Sequence, residues 1–306
     1  MRFLEGALKV FLKLTDPTPR FTARRCLVVR NAVGGCDRCA TICPKQAVEI
    51  SEETVRIDDV RCTSCGLCTT ACPGLALEYP LAPLREALER GGGALRCAQA
   101  PGGGEEVRCL GQLTPGLLAE VGRRHPLRLV YGECARCPIG GAKVLEHLEE
   151  VLAAARQLQP GLQVSLSQEP LPPAGVGRRE FFGALLGGSK RALLDLMPEL
   201  PLPELAEEEP LELRLRRAAA RGSPAQGPRV TLEPGCTLCP VCTNVCPTGA
   251  IERVEEPEGF ALRWDPGLCT GCGACVTSCP PQVLNLAEGP WPGEVEILVR
   301  GRPEWF

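Results

Sequence analysis

The stretch CTGCGACVTSCP, Cys269 to Pro280, sets three cysteines at C-x2-C-x2-C spacing, adds a fourth after three more residues and follows it with proline. The same form recurs as CTLCPVCTNVCP, Cys236 to Pro247, and as CTSCGLCTTACP, Cys62 to Pro73. Another stretch, GGCDRCATICPK from Gly34 to Lys45, keeps Cys36, Cys39 and Cys43 but has Val33 where its first cysteine would stand. Three sulfurs within one tight turn suit a soft iron core better than disulfides. Zinc fits poorly, because four-cysteine zinc sites use two C-x2-C pairs and need neither the third nor the fourth cysteine of such a run. Gly271 and Gly273 let the backbone wrap closely enough for its N–H groups to face sulfur, and Pro247 and Pro280 turn the chain away behind the last ligand.

At 306 residues the chain is long enough for two or three domains, each with its own core. Aromatic residues are only 4%, so the hydrophobic share of 44% comes mainly from Leu, Ala, Val and the 20 cysteines. No N-terminal segment combines a basic start, an apolar run and a cleavage site, so the expected setting is reducing and cytoplasmic. No apolar run reaches the length of a membrane span, and no transmembrane segment is expected. The formal charge is −3, and each oxidised [4Fe-4S] core with four thiolates adds roughly −2. A chain this acidic is expected to bind no nucleic acid, whose phosphates call for a basic surface.

Residues 230–287, with their two complete runs, resemble the bacterial-type 2[4Fe-4S] ferredoxin domains. In that family three cysteines of a run hold one cluster while the fourth crosses to the other. The resemblance therefore implies one cluster on Cys236, Cys239, Cys242 and Cys279, and another on Cys269, Cys272, Cys275 and Cys246. The same crossing applied to the N-terminal group implies a cluster on Cys62, Cys65, Cys68 and Cys43. Cys36, Cys39 and Cys72 remain, one ligand short. Cys26 lies upstream, joined to Cys36 by LVVRNAVGG, a linker long enough to loop back and flexible at its glycines. The expectation is that Cys26 completes this set; the alternatives are a three-iron cluster, which three thiolates can hold, or Cys26 as an unpaired core cysteine.

Between the two cysteine-rich groups lie Cys97, Cys109, Cys134 and Cys137-Pro138. ALRCAQ and RLVYGEC pattern as strands. TPGLLAEVGRR patterns as a helix capped by Thr114 with Pro115 at its first position, and AKVLEHLEEVLAAARQL as an amphipathic helix. This puts the cysteines at strand ends of a small α/β unit, where such folds place their sites. The unit resembles the iron-sulfur delta subunit of methyl-viologen-reducing hydrogenase, and in spacing the thioredoxin-like [2Fe-2S] ferredoxins. The resemblance implies a fifth iron-sulfur cluster, [2Fe-2S] or [4Fe-4S]. Zinc, or a redox dithiol of Cys134 and Cys137, stays open. His125 and His147 read as structural. There is no phosphate-binding loop, dinucleotide fingerprint or C-x-x-C-H haem motif.

The expected fold is α+β, with two ferredoxin-like 2[4Fe-4S] domains flanking a small α/β (βαβα) cysteine-containing domain. Residues 1–25 form an amphipathic N-terminal helix and lead-in, a candidate contact for a partner or a membrane surface. Residues 26–82 form the first ferredoxin domain and 94–158 the middle domain. Residues 159–229 form a Pro-rich linker with helices, and 230–306 the second ferredoxin domain and C-terminal tail. The expected function is electron relay between redox proteins, as a subunit or shuttle serving a dehydrogenase, hydrogenase or molybdenum-type reductase. No residue is expected to act as acid, base or nucleophile. The alternative is a thiol/disulfide oxidoreductase that uses the middle domain and is fed by the flanking clusters.

Overall fold

A computed structural model describes residues 18–51, 54–172, 209–222 and 225–303 of the chain. The N-terminal helix expected within 1–25 and the linker stretch RREFFGALLGGSKRALLDL, Arg178 to Leu196, whose pattern reads as helical, lie outside these residues. The first cysteine-rich unit contains β1 (Arg20–Phe21), α1 (Arg38–Ile42), β2 (Val48–Ile50), β3 (Val55–Ile57), α2 (Leu67–Thr70) and β4 (Leu77–Glu78). β2 and β3 form an antiparallel hairpin, and β1 pairs with β4 across the far side. Arg25 pins that outer pair, because its buried guanidinium donates to Glu78 at 2.8 Å and to the Thr22 hydroxyl at 2.8 Å.

The middle unit follows with α3 (Leu81–Arg90), β5 (Ala94–Cys97), β6 (Glu106–Val107), α4 (Pro115–Gly122), β7 (Leu127–Val130), α5 (Lys143–Leu158) and β8 (Val164–Ser167). Its four strands are parallel in the order β6-β5-β7-β8, so the sheet reaches beyond residue 158 for its last strand. Leu95, Leu110, Leu113, Leu117, Leu118 and Leu129 are fully buried against it. A parallel sheet needs helices on its faces, and the leucine-rich faces of α4 and α5 supply that cover.

After α6 (Leu211–Gly222) comes the second cysteine-rich unit, β9 (Gln226–Leu232), α7 (Val241–Val245), β10 (Ile251–Glu256), β11 (Gly259–Trp264), α8 (Ala274–Thr277), β12 (Leu284–Pro290) and β13 (Glu296–Gly301). It repeats the plan of the first. The β9–β12 pair matches β1–β4, and the β10–β11 hairpin matches β2–β3, with β13 added at its edge. Each cysteine run ends in a one-turn helix, and three residues past the last cysteine the chain adopts a left-handed conformation: Gln46 (φ 51°), Leu75 (φ 51°), Gly249 (φ 70°) and Gln282 (φ 55°). That turn releases the chain from the sulfurs into a strand.

Helix α6 fastens the middle unit to the second cysteine-rich unit. Thr114 stands at the start of α4 with extended backbone, as its position predicts, yet its side chain makes no capping bond. The cap is the carboxylate of buried Glu212, which accepts the Gly116 N–H at 2.8 Å. Burial pushes the Glu212 carboxyl above the usual carboxylate range, while Arg216 one turn on pulls it back. Buried Arg216 in turn donates to the Cys269 carbonyl at 3.2 Å. Removing one partner of such a pair leaves a buried charge uncompensated. Glu212→Ala is therefore expected to cost about 3–5 kcal/mol, and Glu212→Gln, which keeps an oxygen for Gly116, to cost less; thermal unfolding of the two variants checks the order.

Candidate metal centres

The cysteine runs owe their wrapped shape to backbone angles that ordinary residues resist. Two positions after the first cysteine the chain is left-handed at Ser64 (φ 56°), Leu238 (φ 55°) and Gly271 (φ 71°). Gly35 takes the same conformation at φ 60°, two positions after Val33, so the run without its first cysteine keeps the backbone of a complete one. The conformation turns the following N–H groups towards sulfur. Leu238 N–H donates to Cys236 Sγ at 3.4 Å, and after the last cysteines Ala47 N–H donates to Cys43 Sγ at 3.3 Å and Ala76 N–H to Cys72 Sγ at 3.2 Å.

The cysteines assemble in fours from both runs of each unit. Cys43 joins Cys62, Cys65 and Cys68 around an enclosed cavity also lined by Lys45, Ile57 and Tyr79. Cys279 joins Cys236, Cys239 and Cys242 around a second, and Cys246 joins Cys269, Cys272 and Cys275 around a third. Around Cys39 the neighbouring sulfurs are those of Cys72, Cys36 and Cys26; burial first, and then these three, push its thiol up to about 12. Cys26 is itself buried, in the apolar cluster that holds Cys39 and Cys72. Val33, at the vacated position, is 61% exposed.

In the middle unit Cys97 closes β5, Cys109 follows β6 and Cys134 and Cys137 follow β7, and all four line one cavity with Tyr131 and Val144. Burial and the surrounding sulfurs push Cys109 up to about 12 and Cys134 up to about 11. Backbone N–H groups reach sulfur here too, from Gly111 to Cys109 at 3.5 Å and from Ile139 to Cys137 at 3.4 Å.

Such thiols stay protonated near neutral pH on their own, and a metal core is what stabilises four neighbouring thiolates out of water. Buried donors without an oxygen or nitrogen acceptor point the same way. The Trp264 indole N–H and the Thr270 hydroxyl have none, and each lies beside a cysteine sulfur or within a cysteine run. The donor sets fit iron-sulfur clusters.

The quartets also touch one another. Cys39 acts electrostatically on Cys68, and Cys242 on Cys275, so the two quartets within each unit adjoin. Cys65 acts on Cys109 and shares a buried cluster with Cys109, Cys134 and Cys137. Cys36 and Cys272 sit against Leu27, Ala32, Val245 and Ala274 where the two cysteine-rich units meet. Chain order suggests a middle centre bracketed by the outer units. In space the outer units abut each other directly, and the middle quartet lies beyond Cys65. The seam is made by Val33, whose N–H donates to the Ser278 hydroxyl at 3.2 Å and whose carbonyl accepts from Thr277 at 3.4 Å. On the other side, Thr63 donates to the Ile139 carbonyl at 2.7 Å, Gln112 to the Ser64 carbonyl at 2.8 Å, and Thr70 bonds His147 at 2.8 Å. His147 is thus a structural tie, while the roles of Glu212, Arg216 and Val33 carry no cysteine-like signal in the sequence beyond the Glu-x3-Arg spacing of α6.

With this geometry in hand, the 4Fe-4S dicluster domain family matches residues 34–76 and 235–283. The chain carries two ferredoxin-type 4Fe-4S dicluster domains, and the middle unit lies outside both matches. It is similar to the polyferredoxin protein MvhB of Methanothermobacter marburgensis, 41% identical over 63 residues that make up 18% of this chain and 15% of that protein. One subunit of the ion-translocating oxidoreductase complex of Methanosarcina acetivorans is 43% identical over 58 residues, 19% of this chain and 20% of that one. The polyferredoxin-like subunit of an aliphatic sulfonate oxidoreductase of Pyrococcus furiosus is 34% identical over 79 residues, 25% of this chain and 44% of that one. The chain therefore spans less than half the length of each of these relatives. No helix among the described residues is long and apolar enough to cross a membrane.

A test of the first unit follows from Gly74, two residues past Cys72. A Cβ there would lie 1.9 Å from the carbonyl oxygen of Arg25, the residue before Cys26, whereas a Cβ on Gly249 in the second unit would meet nothing within 4 Å. Gly74→Ala is expected to push Cys26 away from Cys36, Cys39 and Cys72 and to lower the iron bound per chain. Gly249→Ala is expected to cost only its left-handed backbone, about 1–2 kcal/mol, and to keep the iron.

Proposed function

We propose that this protein is an iron-sulfur electron-transfer protein, a polyferredoxin that relays electrons between redox partners as a subunit or shuttle of an oxidoreductase. Four quartets hold [4Fe-4S] clusters: Cys26, Cys36, Cys39 and Cys72; Cys43, Cys62, Cys65 and Cys68; Cys236, Cys239, Cys242 and Cys279; and Cys246, Cys269, Cys272 and Cys275. Cys97, Cys109, Cys134 and Cys137 hold a fifth iron-sulfur centre. The relatives' names, a polyferredoxin and subunits of oxidoreductase complexes, support a partner enzyme as donor or acceptor. The cysteines are free of disulfides, which supports a reducing compartment such as the cytoplasm.

The observation that carries the proposal is the unbroken run of adjoining quartets. Starting at the middle unit it passes Cys109 to Cys65, Cys68 to Cys39, then across the apolar cluster that Cys36 and Cys272 both pack against, and Cys275 to Cys242. Electron tunnelling falls off steeply with distance, so centres in this order form a wire whose ends are the middle centre and the cluster on Cys236. The clusters supply the redox chemistry when bound. The chain's own residues hold them at fixed spacing, exclude water through the surrounding leucines and valines, and aim N–H groups at the sulfurs.

Iron and acid-labile sulfide in the anaerobically purified protein test this reading. Four cubanes alone give about sixteen irons per chain, and a fifth centre raises the count to about eighteen or twenty. Cys26→Ser is expected to cost one cubane, read as a loss of about three to four irons and of one reduced-cluster EPR signal, with the other signals intact. An unchanged iron count in Cys26→Ser contradicts the ligand assignment, and a wild-type count near that of a single metal ion per quartet contradicts the function.

A further inference from the structure

The protein has only two tyrosines and three tryptophans, and two of them, Trp264 and Tyr79, bring a polar group to the first cysteine of a second run. Trp264 is fully buried at the end of β11, and no oxygen or nitrogen accepts its indole N–H. The group before it is the sulfur of Cys269, which also receives the Gly271 backbone N–H. The buried Tyr79 hydroxyl lies beside both the Ser64 hydroxyl and the sulfur of Cys62, which also receives the Ser64 N–H. Cys62 and Cys269 are equivalent, each the first cysteine of the second run in its unit.

The two donors come from different places. Trp264 stands five residues before Cys269, where the first unit has Ile57, five before Cys62. Tyr79 stands seven residues after Cys72, where the second unit has Leu286, seven after Cys279. Ile57 lines the same cavity as Tyr79, and Leu286 lines the cavity of Cys269. Each unit thus has an aliphatic side chain at one of the two equivalent positions and a polar aromatic at the other, and both arrangements reach the same sulfur. The cavity of Cys236 is lined instead by Leu232, Leu262, Leu284, Pro280 and Pro281.

A neutral thiol is a weak acceptor, so a buried indole N–H facing one is left nearly unsatisfied, a cost of about 1–3 kcal/mol. A thiolate bound to iron is a stronger acceptor, and it gains charge density when its cluster takes up an electron. A donor already in place therefore stabilises the reduced cluster more than the oxidised one. A cation near each site acts in the same direction, Lys45 lining the Cys62 cavity and Arg216 beside Cys269.

We propose that Trp264 and Tyr79 are redox-positioning residues, each raising the reduction potential of the cluster on the second cysteine run of its unit above that of its neighbour. The step involved is a one-electron transfer, in which the cluster gains one electron from an adjoining centre and passes it to the next, with no bond made or broken in the protein. The wire then alternates between centres that hold the electron more and less firmly.

This inference rests on the cluster assignment above, and the experiment separates the two. Iron and sulfide content establishes whether the clusters are present, and an EPR-monitored redox titration then follows each signal. Trp264→Phe and Tyr79→Phe keep the ring and remove the donor. Each is expected to retain full iron and to lower the potential of one cluster, a different one in each variant, by about tenfold in the oxidised-to-reduced ratio, ~59 mV for one electron. Trp291→Phe serves as control, because its indole donates to the Pro228 carbonyl at 3.0 Å and should leave every potential unchanged. Unshifted potentials in the loaded Phe variants, or the same shift in Trp291→Phe, overturn the proposal. Loss of iron in either variant assigns that ring a structural role and overturns it for that residue.

Discussion

Sulfur atoms buried beside one another repel as thiolates, and this repulsion governs how the rest of the chain is arranged. At Cys39 the burial penalty and three neighbouring sulfurs act together, and burial with two or three neighbouring sulfurs recurs at Cys109, Cys134 and Cys242. A metal core resolves the conflict only if four sulfurs arrive from fixed directions. Much of the local structure serves that end: the left-handed residues inside the runs, the prolines behind the last cysteines and the short strands that close over each cavity. Bound clusters would supply much of the interior of the small cysteine-rich units, in keeping with their few aromatic residues.

The vacated position at Val33 takes its meaning from the same constraint. The backbone there still wraps as in a complete run, with Gly35 left-handed. Buried Cys26 stands near Cys39 in the same apolar cluster, and the loop around Val33 bonds Ser278 and Thr277 of the second unit. Along this seam Cys36 and Cys272 pack against one apolar cluster drawn from both units. A gap in a motif becomes the joint between two modules.

Much of this was legible in the sequence. The cysteine runs gave the two dicluster units, and the strand-helix pattern put Cys97, Cys109 and Cys134 at strand ends. What could not be read were relations between distant parts. Nothing local says that Glu212 caps a helix beginning at Pro115, that Arg216 reaches the Cys269 loop, or that Trp264 and Tyr79 meet equivalent sulfurs from different positions. The neighbours of the middle cysteines escaped for the same reason, because linear order puts them between the outer units while packing sets Cys109 beside Cys65 and the outer units against each other. Thr114 shows the limit of a local rule: its position at the helix start follows the pattern, and the capping bond comes from elsewhere.

The central claim is that the centres form one continuous wire with the middle unit at its end and a direct step across the Cys36–Cys272 seam. Pulsed EPR of the fully reduced protein tests it through the relaxation of the middle centre's signal, which a neighbouring paramagnet accelerates. Loss of the cluster on Cys62, in Cys62→Ser, should slow that relaxation, while loss of the cluster on Cys236, in Cys236→Ser, should leave it as in the wild type. Equal slowing in both variants, or slowing only in Cys236→Ser, would contradict the order.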